Sequence, residues 1–288
     1  LTSSPDKGQT RHVLCVDLAS GRISQNIPLF KCDKTDPCHA MNSFATPTPV
    51  LEGDRVYVTF GNVGTACLDA ATGKSLWERR NIKTRYFDVG AASSPILCGD
   101  SLILTCDGQS DAERFVIALD KQTGKTRWRT ERTFPENVIP KKTHSSCIPL
   151  AIEVAGKVQI ISPGPHGVRA YESETGKEIW CARNNTWSVV PRPVFANGRL
   201  FTCGGSINPF FYCIRPEGAA GEITNTPALL WKVTRNIPNM PSPLVTGNKL
   251  YTLTAATFSC LDPATGKEIW SHNLPGQHLA SPLATEGR

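Results

Sequence analysis

Hydrophobic and polar positions alternate with a period of two along most of the chain, in runs short enough to read as β-strands. The stretch TPVLEGDRVYVTF (48–60) gives a short strand, a Gly-Asp turn and a strand rich in β-branched and aromatic residues. TACLD then supplies a third strand, ATGK a turn and SLWERR a fourth. No helical period of useful length interrupts the pattern. The prediction is an all-β chain built from four-stranded units joined by tight turns.

The unit repeats. CLDAATGKSLW (67–77), ALDKQTGKTRW (118–128), AYESETGKEIW (170–180) and CLDPATGKEIW (260–270) superpose, and CVDLASGRISQ (15–25) is a faded copy. In the four good copies an acidic residue comes two after a small one, Thr-Gly-Lys follows three later, and Trp closes the motif. Gly73, Gly124 and Gly176 stand 51 and 52 residues apart, and Trp77, Trp128, Trp180 and Trp231 keep the same step. The chain is therefore an array. Trp231 has lost its motif; CIRPEG (213–218) and a Gly-rich insert stand in its place. Four strands per repeat match the blade of a β-propeller.

The motif residues have structural jobs. Gly73, Gly124, Gly176 and Gly266 supply positive φ to the turn between third and fourth strands, and the acidic residue accepts hydrogen bonds from the turn amides. Trp77, Trp128, Trp180, Trp231 and Trp270 are placed to wedge between one blade and the next. First strands are marked by TPTPV (46–50), SSPIL (93–97), SCIPL (146–150), PRPVF (191–195), PSPLV (241–245) and ASPL (280–283). Five blades follow, at about 44–80, 91–130, 144–183, 188–233 and 239–273. A sixth, composite closing blade is expected from 1–29 plus 280–288: a first strand from 281–285, third and fourth strands from 12–29, and a second strand either missing or improvised from residues 1–5 and the final ATEGR. The whole of 1–288 reads as a single propeller domain.

Composition narrows the partners. The chain has 288 residues, 40% of them hydrophobic, which is ample for a core, and a net charge of +6 with Lys and Arg scattered through turns, so no nucleic-acid surface is expected. No apolar run reaches membrane length. Of the eleven cysteines, Cys15, Cys67, Cys213 and Cys260 fill the third-strand slot held elsewhere by Ala118 and Ala170 and are expected in the core; Cys106 and Cys203 in second strands read the same way. Cys32 and Cys38 flank the polar insert KCDKTDPCHAMN and are a candidate disulfide or a pair of free loop thiols. Cys-x5-Cys-His at Cys32, Cys38 and His39 lacks the spacing and second ligand pair of a zinc site, so no metal is expected. GPHG (164–167) reads as a tight turn carrying a solvated His, and Asn184-Asn185-Thr186 matches a glycosylation sequon.

The pattern Ala-x-Asp-x-x-Thr-Gly-x-x-x-Trp, extending from about residue 11 to 285, resembles the tryptophan-docking motif of the pyrroloquinoline-quinone (PQQ)-type repeat propellers. That superfamily holds quinoprotein alcohol dehydrogenases and the outer-membrane assembly lipoprotein BamB. The enzymes of the family carry a vicinal Cys-Cys disulfide over the quinone, a calcium ion, an Asp base and about eight blades. This chain has no Cys-Cys dipeptide and is too short for eight such blades. It also lacks a Gly-x-Ser-x-Gly elbow, a His-Glu-x-x-His pair and a phosphate-cradling Gly-rich loop.

The resemblance therefore implies a non-catalytic protein-binding or scaffolding propeller of the bacterial cell envelope, exported, with no cofactor, its leader outside this chain, and with the chain a piece of a longer protein. The alternative is a PQQ- and calcium-dependent dehydrogenase oxidising an alcohol or sugar. The binding face is expected where each fourth strand hands over to the next first strand, at one mouth of the central channel. Its candidates are His39, Asn42, Asp88, His144 and Ser145, Trp187, Arg192, Asn239, and Gln277 with His278. No catalytic residue is predicted.

Overall fold

The computed structural model describes residues 1–40, 42–86, 89–133 and 144–285. It contains two compact units, Leu1–Pro135 and Glu136–Arg288. Both are all-β. Among the described residues the only helical elements are 3-10 turns at Gly61–Val63 and Asp111–Glu113.

In the first unit, β1 (Thr2–Ser3), β2 (Thr10–Val16) and β3 (Ile23–Lys31) form a three-stranded sheet. A second sheet follows from β4 (Val50–Glu52), β5 (Arg55–Thr59), β6 (Thr65–Asp69) and β7 (Ser75–Arg79). The third is β8 (Ile96–Cys98), β9 (Ser101–Asp107), β10 (Arg114–Asp120) and β11 (Thr126–Glu131).

The second unit opens with β12 (Leu150–Val154), β13 (Lys157–Gly164), β14 (Gly167–Glu172) and β15 (Glu178–Arg183). Next come β16 (Val194–Ala196), β17 (Arg199–Gly204) and β18 (Phe210–Ile214). The short β19 (Gly221–Glu222) precedes the closing β20 (Leu229–Val233). The last sheet is β21 (Leu244–Thr246), β22 (Lys249–Leu253), β23 (Thr257–Leu261) and β24 (Glu268–Asn273). Five complete antiparallel meanders and one three-stranded sheet make six sheets among the described residues, which fit the blades of a β-propeller.

One local device recurs in every sheet. A β-bulge breaks the register of the third and fourth strands just after the small residue of the motif, between Cys67/Leu68, Ala118/Leu119, Ala170/Tyr171, Cys213/Ile214 and Cys260/Leu261, and between Cys15/Val16 in the faded copy. The bulge leaves the small residue directly opposite the aromatic one: Cys67 faces Trp77, Ala118 faces Trp128, Ala170 faces Trp180, Cys213 faces Trp231 and Cys260 faces Trp270. Small side chains occupy that slot because a large ring lies across the ladder from it.

The turns are closed by their acidic residues. Asp69 Oδ1 accepts from the backbone N–H (2.7 Å) and hydroxyl (2.7 Å) of Thr72, and Asp120 Oδ1 does the same with Thr123 at 2.8 Å each. Asp17 holds Ser20, and Asp262 accepts from the Ala264 N–H. These bonds favour the ionised carboxylate and hold all four below the usual carboxylate range.

Neighbouring sheets within each unit share apolar cores. Val13 and Phe30 of the first sheet pack with Val58, Ala66 and Leu68 of the second, whose other face sends Tyr57 and Cys67 toward Leu102, Leu104 and Phe115 of the third. In the second unit Trp180, Ile161 and Val168 pack with Leu200, Tyr212 and Ile214, and Phe201 and Phe211 with Leu250 and Leu261.

Three sequence expectations need correcting. Cys15 is exposed, because β1 pairs only with His12 and Val13 and the residue opposite Cys15 is Gln25, so no ring or strand covers it. The first strand expected at 281–285 is not a strand, and residues 286–288 lie outside the described ones; the improvised second strand from residues 1–5 does form, as β1. His166 is buried rather than solvated: at the tip of the β13–β14 hairpin it takes φ +59°, and its N–H donates to Thr186 O at 2.8 Å.

Candidate functional site

The sheets meet through two repeated contacts. In the first, the motif Trp reaches the turn of the following sheet. The indole N–H of Trp77 donates to Lys121 O at 3.0 Å and that of Trp231 to Pro263 O at 3.1 Å. The rings lie so close over the turn glycines that a Cβ on Gly124 would stand 2.7 Å from Trp77, and one on Gly266 2.8 Å from Trp231. In the faded copy Gln25 stands in the Trp position, and its amide donates to Ala71 O at 2.7 Å while Ile27 covers Gly73.

The second contact lies at the start of the first strands. The backbone N–H of Thr48 donates to Ser94 Oγ at 2.8 Å, that of Arg192 to Ser242 Oγ at 2.9 Å, and that of Ser242 to Ser281 Oγ at 2.9 Å. Each Ser precedes a Pro, so it sits where the chain is held extended and its hydroxyl is free to accept from the sheet before. Ser281 thus occupies the position of a first-strand peg although no strand follows it among the described residues.

Trp180 departs from the rule: the following sheet lacks the Asp-x-x-Thr-Gly-Lys motif, with CIRPEG (213–218) in its place. Its indole N–H turns back to Gln159 Oε1 of its own sheet at 3.2 Å, and the ring is fully buried. The insert covers it: β19 pairs in parallel with β15, setting Gly221 beside Trp180 and Glu222 beside Cys181, while Ala219 and Ile223 join the Trp180 core. Trp270, by contrast, stays 42% exposed, with the rings of Tyr251 and Phe258 of its own sheet at centroid distances of 6.1 and 5.6 Å.

The predicted mouth residues divide between the units. In the second, His144 and Trp187 meet edge to face at 5.3 Å, and their links are zipped together: Ser188 N–H donates to His144 O at 2.9 Å, Ser146 N–H to Val189 O at 2.9 Å, and Ser145 Oγ to Val189 O at 2.8 Å. Arg192 keeps its backbone bond to Ser242 while its side chain is exposed; Asn239 is exposed. His278 closes its own loop, its N–H on Ala255 O at 2.8 Å and its Nε2 3.0 Å from Pro275 O. Gln277 is exposed beside it. In the first unit His39 is exposed and Asn42 ties its loop to the next link through an amide bond to Val89 O at 2.6 Å. Asp88 lies outside the described residues.

Cys32 and Cys38 are free thiols, and burial pushes the Cys38 thiol up, opposed by the Arg11 charge. The amide nitrogen of Asn184, the sequon residue, is buried. The sequence has no adjacent cysteine pair, and among the described residues no three His, Cys, Asp or Glu side chains gather as a cation site. Sequence reasoning missed Arg11, a charged residue buried on β2, and the peg serines; the Ser-Pro dipeptides at 94, 242 and 281 were visible but read only as strand starts.

A curated relative, quinohemoprotein alcohol dehydrogenase ADH IIB of Pseudomonas putida, is 32% identical over 144 residues, which is 46% of this chain and 19% of that enzyme. The chain thus spans about a fifth of that relative's length. Among solved structures, quinohemoprotein alcohol dehydrogenase ADHIIG from Pseudomonas putida HK5 superposes with TM-score 0.53 at 16% identity, covering 79% of this chain and 41% of that one. The computationally designed Ika8 protein gives 0.56 at 10% identity, covering 97% and 86%. At these identities the likeness is one of fold. The sequence profile described as outer membrane protein assembly factor BamB matches residues 11–227 and 165–288. On that match the chain belongs to the BamB family of PQQ-type repeat β-propellers.

Proposed function

We propose that this chain is a non-catalytic binding module: a repeat propeller that holds a protein partner in the bacterial cell envelope, as a scaffold of the BamB type. The carrying observation is the family match along nearly the whole chain, joined to what the repeats do. The motif glycines, acidic residues and small residues serve turns and bulges, and Trp77 and Trp231 serve contacts between sheets, which leaves the links between fourth and first strands as the surface free to vary. In the second unit the His144, Trp187 and Arg192 links combine an aromatic ring, an imidazole and an exposed guanidinium. Aromatic and Arg side chains are the ones enriched at protein interfaces.

The test is affinity capture from envelope extracts with crosslinking. The reading requires crosslinks from the 144–147 and 187–192 links to one reproducible protein, lost on His144→Ala/Arg192→Ala. Crosslinks confined to other surfaces would refute this assignment of the face.

A second reading rests on the identity to the quinohemoprotein alcohol dehydrogenase: that the chain belongs to a dehydrogenase oxidising an alcohol or sugar. Purified protein incubated with PQQ and calcium separates the two. Alcohol-dependent dye reduction would support the enzyme, and its absence in protein that still captures its partner supports the scaffold.

A further inference from the structure

We propose that the first unit contains a binding site for a small carboxylate carrying a neighbouring hydroxyl or ammonium group, with Arg11 as its anion clamp. Arg11 stands on the core-facing side of β2, where the next inward residue is Val13, and is only 3% exposed. Its guanidinium lies 5.1 Å from the centre of the Phe44 ring. One end is occupied: Nη1 donates to Gly8 O, to Ser4 Oγ at 3.2 Å and to Thr10 O at 3.4 Å. The Nε–H is buried and has no acceptor.

Among the described residues no carboxylate neutralises this charge by direct pairing. Asp6 and Asp36 act on Arg11 through space, but Asp6 is engaged by the Thr10 N–H at 2.7 Å and hydroxyl at 2.8 Å, and Asp36 receives the Asn62 amide at 3.1 Å. A guanidinium held out of water with a donor unused is costly, and the group that best matches a vacant Arg edge is a carboxylate.

Arg11 forms part of the wall of a small, partly open cavity of about 40 Å³, together with Phe44, Phe60, Asn62, Tyr86 and Asp36. A second polar atom is orphaned on this wall: Asn62 Oδ1 is buried with no donor, although its Nδ2 is bonded to Asp36. Two residues of one lining, Arg11 with an unused donor and Asn62 with an unused acceptor, call for a ligand that accepts at one end and donates at the other. The volume, roughly that of three waters, limits it to a short chain, as in an α-hydroxy or α-amino acid.

The test is titration calorimetry of the full chain with glycolate, glycine and acetate, at matched chloride. Glycolate or glycine should bind saturably, and acetate, which cannot donate to Asn62, more weakly. Arg11→Lys keeps the charge but loses the forked geometry and should weaken every carboxylate by about tenfold or more. Asn62→Leu should bring glycolate down to the level of acetate and leave acetate unchanged. Should Arg11→Lys fail to fold, the glycolate-to-acetate ratio in Asn62→Leu decides. No saturable heat with any of the three, equal binding in Arg11→Lys, or equal competition by chloride would overturn the proposal; the first would mean that the cavity holds only water.

Discussion

Trp231 lies on Gly266: its ring is close enough that a Cβ there would stand 2.8 Å away, and the glycine's φ of +70° already disfavours any side chain. The turn glycine is thus required twice, once by its own backbone and once by the Trp of the sheet before. Gly21, in the faded copy, has the same conformation, φ +68°, with nothing within 4 Å of the Cβ position. Gly21→Ala should cost about 1 kcal/mol, the left-handed penalty alone. Gly266→Ala adds overpacking and should cost about 2–4 kcal/mol in all. Urea denaturation of both variants measures the difference; equal costs would mean that the ring yields without resistance.

The buried pair Arg132 and Asp107 makes a second prediction. Nη1 of Arg132 reaches both oxygens of Asp107, at 2.9 and 3.2 Å, with both side chains fully buried. Removing Asp107 takes away one side of a fully desolvated ion pair, so Asp107→Ala should destabilise by about 3–5 kcal/mol, far more than an exposed pair such as Arg129–Glu131 would lose. A melting-temperature shift as small as that of Glu131→Ala would contradict this.

Acid should loosen the turns. The folded pKa values of Asp17, Asp69, Asp120 and Asp262 are depressed by hydrogen bonds to the ionised form. Their contribution is therefore fully present above the unfolded carboxylate value, near 3.9, and is lost as pH falls through the lower folded values. Urea midpoints measured from pH 6 down to pH 2.5 should fall on acidification, and Asp69→Asn/Asp120→Asn should flatten the fall. An unchanged slope in that variant would place the acid sensitivity elsewhere.

How far the sequence was legible follows from what each residue answers to. The turn Gly, the acidic residue and the Trp obey local geometry that repeats, so strands, turns and sheet count could be read from spacing alone. The small residue at 67, 118, 170, 213 and 260 was read as generic core. Its actual reason, the Trp across the bulge, is a register fact that alternation does not carry. Cys15 misled because it keeps the motif's letter while its cross-strand partner is Gln25. Arg11 was unreadable: a buried charge inside an alternating strand looks like an ordinary polar position until the loop bearing Phe44 folds over it.

Thiol labelling separates these cysteine environments. Native protein should expose Cys15 to rapid alkylation, while Cys67, Cys106, Cys203 and Cys213, buried and with thiols pushed up by desolvation, react only after denaturation. Cys260 is buried too and should be protected with them. Mass spectrometry of the labelled peptides reads each site; fast labelling of Cys67 would contradict its place opposite Trp77.

The insert at 216–228 makes the last prediction, because it replaces a docking turn by a different structure. Ile223, 1% exposed, lies in the Trp180 core. Its backbone N–H donates to Cys181 O at 2.9 Å, and Thr224 Oγ accepts from the Arg183 N–H at 2.7 Å. The segment is therefore an added edge strand on β15, held by ladder bonds and one deeply placed side chain. Ile223→Ala should cost about 2–5 kcal/mol, the range for a large-to-small core substitution, and should admit acrylamide to Trp180. If the variant loses stability while Trp180 stays shielded, the insert anchors the sheet without being what covers the ring. If neither changes, the insert is a surface loop, and the burial of Trp180 depends on Gln159 and the Leu200–Tyr212 core alone.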